Sequence, residues 1–170
     1  VTKIGNNIAG NTKLEEVTLP FMGNTPEGVA ANNTSTLLNL LYGGIGGAGK
    51  AALRRVTITG GSSIPKSAFA NFTDVTEINL PDTITKIHND AFYNCSSLKS
   101  IDIPDGVTYI GADAFNGCKT IPEFDLPSEL EHIGSYAFRS CSSITEMMVP
   151  SKVTEIGTQA FYGCSSMTKL

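Results

Sequence analysis

The stretch Leu98-Lys-Ser-Ile101-Asp-Ile103-Pro104-Asp-Gly-Val107-Thr-Tyr-Ile110-Gly-Ala-Asp-Ala114-Phe115-Asn-Gly-Cys118 decides the fold. Its first six residues end in apolar–polar alternation, the pattern of a short strand with one buried face. Pro104 stops that strand because it has no N–H to give to a ladder. Asp105-Gly106 makes a turn. Val107 and Ile110 carry a second short extended stretch on the opposite side. Gly111 permits a tight bend, and the spacing from Ala114 to Cys118 predicts about one helical turn.

The same unit returns along the chain. Phe69, Phe92, Phe115, Phe138 and Phe161 recur every 23 residues. Pro81, Pro104, Pro127 and Pro150 keep that step, as do Cys95, Cys118, Cys141 and Cys164. Ile64, Ile87, Ile110, Ile133 and Ile156 form a further column, and Ala68, Ala91, Ala114, Ala137 and Ala160 another. A unit this short cannot bury its own apolar face, whereas stacked neighbours can. Phe is therefore expected on Phe, and Cys on Cys, in coils about 4.8 Å apart. The expected architecture is an α/β repeat solenoid: a right-handed, parallel, curved array of about six coils with short strands and single helical turns.

Regularity weakens toward the N-terminus. Leu53-Arg-Arg-Val56-Thr-Ile58 and Val75-Thr-Glu-Ile78-Asn-Leu80 are strand units one residue closer together than the rest. Leu14-Glu-Glu-Val17-Thr-Leu19-Pro20 is another, in an atypical first coil over residues 1–20. Residues 21–52 interrupt the period as an irregular insert. There Leu37-Leu38-Asn-Leu40-Leu41-Tyr42 is read as a short helix or an apolar plug, followed by a glycine-rich run from Gly43 to Gly49. The regular 22- and 23-residue repeats fill 53–170, and the whole chain is expected to be a single solenoid. Both ends fall inside a repeat, so a piece of a longer protein is expected.

Composition narrows the function. Of the 170 residues 41% are hydrophobic, and no run of about 18 apolar residues exists to span a membrane. Only 16% are charged and the net charge is −4, which argues against nucleic acid and membrane surfaces as partners. Two histidines and no Trp thin the supply of catalytic groups. No nucleophile–base pair or metal cluster is visible, so no enzyme and no cofactor are expected.

The pattern Leu-x-x-Ile-x-Ile-Pro-x-x-Val-x-x-Ile-Gly-x-x-Ala-Phe-x-x-Cys resembles the BspA-like leucine-rich repeat family. It stands complete in Ile101-Asp-Ile103-Pro104, Ile110-Gly111 and Ala114-Phe115-Asn-Gly-Cys118. It recurs through Leu126-Pro127, Ile133-Gly134 and Ala137-Phe138-Arg-Ser-Cys141, and again through Val149-Pro150, Ile156-Gly157 and Ala160-Phe161-Tyr-Gly-Cys164. The departures are Phe72 in the Cys column, and Pro65 and His88 in the Gly column. The Asn ladder of better-known leucine-rich repeats is absent. The resemblance implies a secreted or cell-surface protein of host-associated bacteria or some protists, acting as an adhesin or ligand-binding module. It offers no catalytic residues to carry over, and fold alone does not fix function. The chain is expected to be monomeric.

Leucine-rich repeat arrays usually bind on the concave sheet, which points to the outward strand positions. One outward column runs Arg55, Glu77, Ser100, Glu123, Glu146, and its neighbour runs Thr57, Asn79, Asp102, Asp125, Met148. Arg55, Glu77, Asn79, Ser100, Asp102, Glu123, Asp125 and Glu146 are the candidate binding residues, for a protein or glycan ligand. Stacked like charges at this spacing repel, so an acidic stripe is either a site for a basic partner or an ordinary solvated face. Weak calcium binding is a lesser reading.

Other features carry less. Gly44-Ile-Gly-Gly-Ala-Gly49-Lys50 spells a phosphate-binding loop, yet Ala51 stands where Ser or Thr would hold magnesium, and no βαβ unit surrounds it. The cysteines are too evenly spread for zinc. In-register neighbours aim their side chains the same way, so buried free thiols are expected rather than disulfides. His88 lies in the Gly column and His132 in the column of Lys86 and Tyr109, so they do not stack on each other and read as solvated or turn-bonded. Sequons such as Asn71-Phe-Thr73 and Asn94-Cys-Ser96 follow from composition and are assigned no role.

Overall fold

The structure, a computed structural model, describes residues 13–19 and 53–170. Its strands are β1 (Glu16–Leu19), β2 (Arg55–Ile58), β3 (Ser63–Ile64), β4 (Glu77–Asn79), β5 (Lys86–Ile87), β6 (Ser100–Ile101), β7 (Tyr109–Ile110), β8 (His132–Ile133) and β9 (Glu155–Ile156). They form two parallel sheets, one in the order β1-β2-β4-β6 and the other in the order β3-β5-β7-β8-β9. From β2 onward, strands of each sheet follow one another at about the repeat spacing, as in a parallel-strand solenoid. β1 pairs with β2 in register, Glu16 opposite Arg55 and Leu19 opposite Ile58. Residues 20–52 between them, with the Leu37–Tyr42 cluster and the Gly44–Lys50 loop, lie outside the described residues, as do residues 1–12.

The apolar columns meet as the repeat requires. Phe69, Phe92, Phe115, Phe138 and Phe161 stack with ring centroids 4.9–5.7 Å apart and nearly parallel planes. Ile64, Ile87, Ile110 and Ile133 are fully buried beside them. Each such side chain contributes roughly 1.5–3 kcal/mol by leaving water. Phe124 wedges edge-on against both Phe115 and Phe138. At Phe72, the departure in the Cys column, a second ring packs edge-on to Phe69 at 5.7 Å.

The expected single helical turn is not what the chain forms. Among the described residues no helix occurs, and each Ala-Phe-x-x-Cys segment is a run of hydrogen-bonded turns. The reason lies in the backbone. Asp90 and Asn94, four residues apart, both hold positive φ (57° and 56°), and so do Asp113 and Gly117, Tyr136 and Ser140, Gln159 and Gly163. Left-handed residues at that spacing prevent a continuous helix. Alternate N–H groups therefore divide their work. Those of Ala91, Tyr93 and Cys95 close four-residue turns within the coil, onto the carbonyls of His88, Asp90 and Phe92. Those of Asp90, Phe92 and Asn94 reach the carbonyls of Ala112, Ala114 and Asn116 in the next coil. The third side of the solenoid is thus a ladder made from turns.

The first sheet has a break. In its coils Lys99 N–H donates to Thr76 and Thr168 N–H to Thr145, but the equivalent residue between them is Pro122. Pro122 has no N–H for the Lys99 carbonyl. The sheet ends at β6, and on this side the later coils carry the isolated bridges Glu123–Glu146 and Glu146–Lys169. Thr120 bridges the gap, its hydroxyl donating to the Leu98 carbonyl at 2.7 Å and to that of Ser96 at 3.2 Å. The second sheet runs past the same level without interruption.

Candidate binding face

The outward side chains of β1, β2, β4 and β6 build one face, because alternate residues of each strand point away from the buried Val56, Ile58, Ile78 and Ile101. Of the eight candidate residues, Arg55, Asn79, Ser100, Asp102, Glu123, Asp125 and Glu146 are exposed and Glu77 is half-buried. Parallel register brings Arg55 beside Glu77 and Glu77 beside Ser100. Farther along, Glu123 is bridged to Glu146.

The face is not uniformly acidic. Arg55 Nε donates to Glu77 Oε2 at 2.9 Å, and its terminal nitrogen lies 3.1 Å from Glu16 Oε2. Asn79 Nδ2 donates to the other Glu77 oxygen at 3.0 Å. The Asn79 amide and the Arg55 guanidinium hold the Glu77 carboxyl below its ordinary range, and Glu77 in turn raises that of Arg55. At the far end Lys169 Nζ approaches Glu146 at 3.6 Å. The column therefore reads Glu16, Arg55, Glu77, Ser100, Glu123, Glu146, Lys169, with compensated charge at both ends. In the middle, Asp102, Glu123 and Asp125 have no ion-pair partner among the described residues. The sequence offered a signal for the compensation: Glu16 takes the outward place in the Leu14-to-Leu19 strand unit, and Lys169 lies one repeat after Glu146. Met148, at 68% exposure, adds an apolar group beside this acidic middle.

The second sheet presents a different ladder. Tyr109 stacks on His132 at 4.6 Å with planes 5° apart, and His88 lies tilted 6.3 Å from Tyr109. His132 Nδ1 lies 3.0 Å from Glu155 Oε2. The two histidines do not stack on each other, but both contact the Tyr109 ring between them. Burial, and then the neighbouring Lys86 charge, lower the His88 pKa.

The cysteines are free; Cys95, Cys118 and Cys141 are buried and Cys164 is half-buried. Each thiol donates to a carbonyl of the coil before it: Cys95 to Phe69, Cys118 to Phe92, Cys141 to Phe115 and Cys164 to Phe138, at 3.1–3.3 Å. Burial pushes the Cys95 pKa up to about 12. Among the described residues no group of three His, Cys, Asp or Glu could hold a metal ion, and no helix is long and apolar enough to cross a membrane.

Solved structures place this geometry among known proteins. A leucine-rich repeat protein from Bacteroides ovatus ATCC 8483 is 37% identical over 68% of this chain and 33% of its own, with a TM-score of 0.66. The leucine rich repeat protein of T. pallidum is 26% identical over 98% of this chain and 70% of its own, with a TM-score of 0.69. A leucine rich cell surface protein from Faecalibacterium prausnitzii A2-165 shares the fold, at 23% identity over 92% of this chain and 47% of its own, TM-score 0.60. The chain thus spans about a third of the Bacteroides ovatus protein. A comparison with curated proteins finds no match. Leucine-rich repeat arrays are generally protein-interaction modules and typically non-enzymatic scaffolds. The sequence profile of the BspA type Leucine rich repeat region matches residues 62–170 in six copies, and with the stacked Phe and Cys columns it shows that the chain belongs to this family.

Proposed function

We propose that the chain is a non-enzymatic, extracellular or cell-surface binding module that recognises a host protein or glycan through the strand face of the first sheet. The carrying observation is the middle of that face, where Asp102, Glu123 and Asp125 stand exposed with no ion-pair partner among the described residues. Carboxylates held at the spacing of neighbouring coils repel one another, and a cationic partner would relieve that repulsion. Arg55, Glu77, Asn79 and Glu146 border the site, with Ser100 as a small neutral gap between them. A surface setting is supported by the Faecalibacterium prausnitzii neighbour, which is a cell surface protein. We take the right-handed, curved form of such arrays to make this the concave face, and the module to act as a monomer.

The test is binding to an array of matrix proteins and glycans, beside an Asp102→Lys/Asp125→Lys double variant. Saturable binding that the variant loses, with unchanged melting temperature, supports the reading. The absence of saturable binding by the folded wild-type chain would instead assign it the role of a spacer that displays other parts of a longer surface protein.

A further inference from the structure

On the side built from turns, Arg139 stands exposed with its guanidinium carbon 5.4 Å from the Tyr136 ring centroid and 5.5 Å from that of Tyr162. Both rings lie within the range of cation–π attraction to the guanidinium. The other described arginines are committed to carboxylates, Arg54 to Asp74 at 3.9 Å and Arg55 to Glu77 at 2.9 Å. Arg139 has no ion-pair partner among the described residues. Asp113, one coil earlier in the Tyr136 column, accepts instead from Asn116 Nδ2 at 2.7 Å.

The stack itself does not require the Tyr136 ring. Tyr136 has a φ of 60°, a conformation disfavoured for a bulky side chain, and the same place in other coils is filled by Ser67, Asp90, Asp113 and Gln159. The main-chain bonds are the same in either case: Tyr136 N–H donates to Thr158 as Asp113 N–H donates to Ser135. A strained aromatic residue that the ladder does not need, placed against an arginine without a counter-ion, invites a functional explanation. Tyr162, the other ring near Arg139, is 59% exposed.

We infer that Tyr136, Arg139 and Tyr162 form a second binding site, separate from the strand face, for a carboxylate-bearing sugar. A carboxylate matches the guanidinium fork with two parallel hydrogen bonds. The columns of Tyr136 and Arg139 supply no second cation at this level, which suits a monoanion better than a phosphate dianion. The flanking rings offer apolar edges to sugar C–H groups, and their hydroxyls can exchange hydrogen bonds with sugar hydroxyls. The site shares no residue with the strand face, so either can fail alone.

The experiment is a titration followed by NMR at the Arg139 Nε–H and the tyrosine ring protons. The probes are an N-acetylneuraminic acid-capped trisaccharide and a galacturonic acid trimer, with neutral lactose and an acetyl-Ala-Glu-Ala amide as comparisons. Saturable shifts are expected with a carboxylated sugar, at least about tenfold weaker for lactose and for the peptide. Arg139→Lys keeps the charge but loses the fork, and should weaken binding by about tenfold. Tyr136→Asn should lose binding while melting no lower than wild type, because Asn tolerates positive φ. Which of the two sugars binds distinguishes a sialic from a uronic acid. Equal binding of lactose, peptide binding as tight as that of the sugars, the absence of any shift at Arg139, or binding unchanged in Arg139→Lys would each overturn the proposal.

Discussion

The Sγ of Cys141 donates to the Phe115 carbonyl at 3.1 Å, joining the thiol column to the aromatic column of the preceding coil. That bond gives a buried polar atom its partner and leaves the sulfur to pack as a small hydrophobe. The evenly spaced cysteines are therefore part of the core.

Thiol burial makes stability fall in alkali. An ordinary thiol titrates near about 8.5, while burial raises Cys95 to about 12 and shifts Cys118 and Cys141 upward as well. Below the ordinary value both folded and unfolded chains keep these protons, and the buried thiols give their full stabilisation. Above it the unfolded chain loses protons that the folded chain retains, so unfolding becomes easier as pH rises. The slope is about 1.4 kcal/mol per pH unit for each thiol. Urea midpoints measured between pH 7 and 10.5 should drop steeply above about pH 9. A Cys118→Ala/Cys141→Ala variant should show a shallower drop. At pH 8, iodoacetamide should label the half-buried Cys164 before the other three, as read by mass spectrometry.

The aromatic column predicts a gradient along the stack. Phe115 is fully buried and touches Phe92, Phe124 and Phe138, whereas Phe161, at the end of the column, is only partly buried and stacks on Phe138. Phe115→Ala should cost about 3–5 kcal/mol by leaving a cavity between rings. Phe161→Ala should cost less than half as much. Equal losses in chemical denaturation would mean that the column does not act through ring packing.

Gly134 marks a place where two coils touch. A Cβ there would lie 2.4 Å from the Ala112 nitrogen, so Ala cannot be accepted without a backbone shift. Gly134→Ala should destabilise by about 1–3 kcal/mol. Gly106 is the comparison, since a Cβ there meets only the Ile84 carbonyl oxygen at 3.8 Å. Gly106→Ala should be within about 0.5 kcal/mol of wild type.

These positions also show what could be read from sequence. Columns of Phe, Ile, Ala and Cys were legible because a repeat forces like residues together, and the outward strand residues followed from alternation. The turn side was misread because Ala-Phe-x-x-Cys has helical spacing. Its conformation depends on Asp90 and Asn94 adopting positive φ, and neither residue type demands that. Charge compensation by Glu16 was obscured by the insert, which hides the register between β1 and β2. The Tyr136–Arg139–Tyr162 cluster joins two columns that each look irregular when read alone.

Pro122 leads to the last prediction. It stands where Thr145 and Thr168 stand in the following coils, and it removes the one N–H that would meet the Lys99 carbonyl. Pro122→Thr restores that donor in a residue the neighbouring coils already accept. One added main-chain hydrogen bond should stabilise the chain by about 0.5–1.5 kcal/mol, less whatever the greater freedom of the unfolded chain removes. A higher urea midpoint is expected, together with slow hydrogen exchange at the new residue 122 amide. If that amide exchanges as fast as a loop, the Thr120 hydroxyl rather than Pro122 sets the path of the chain here. The first sheet would then stay divided whatever residue is placed at 122.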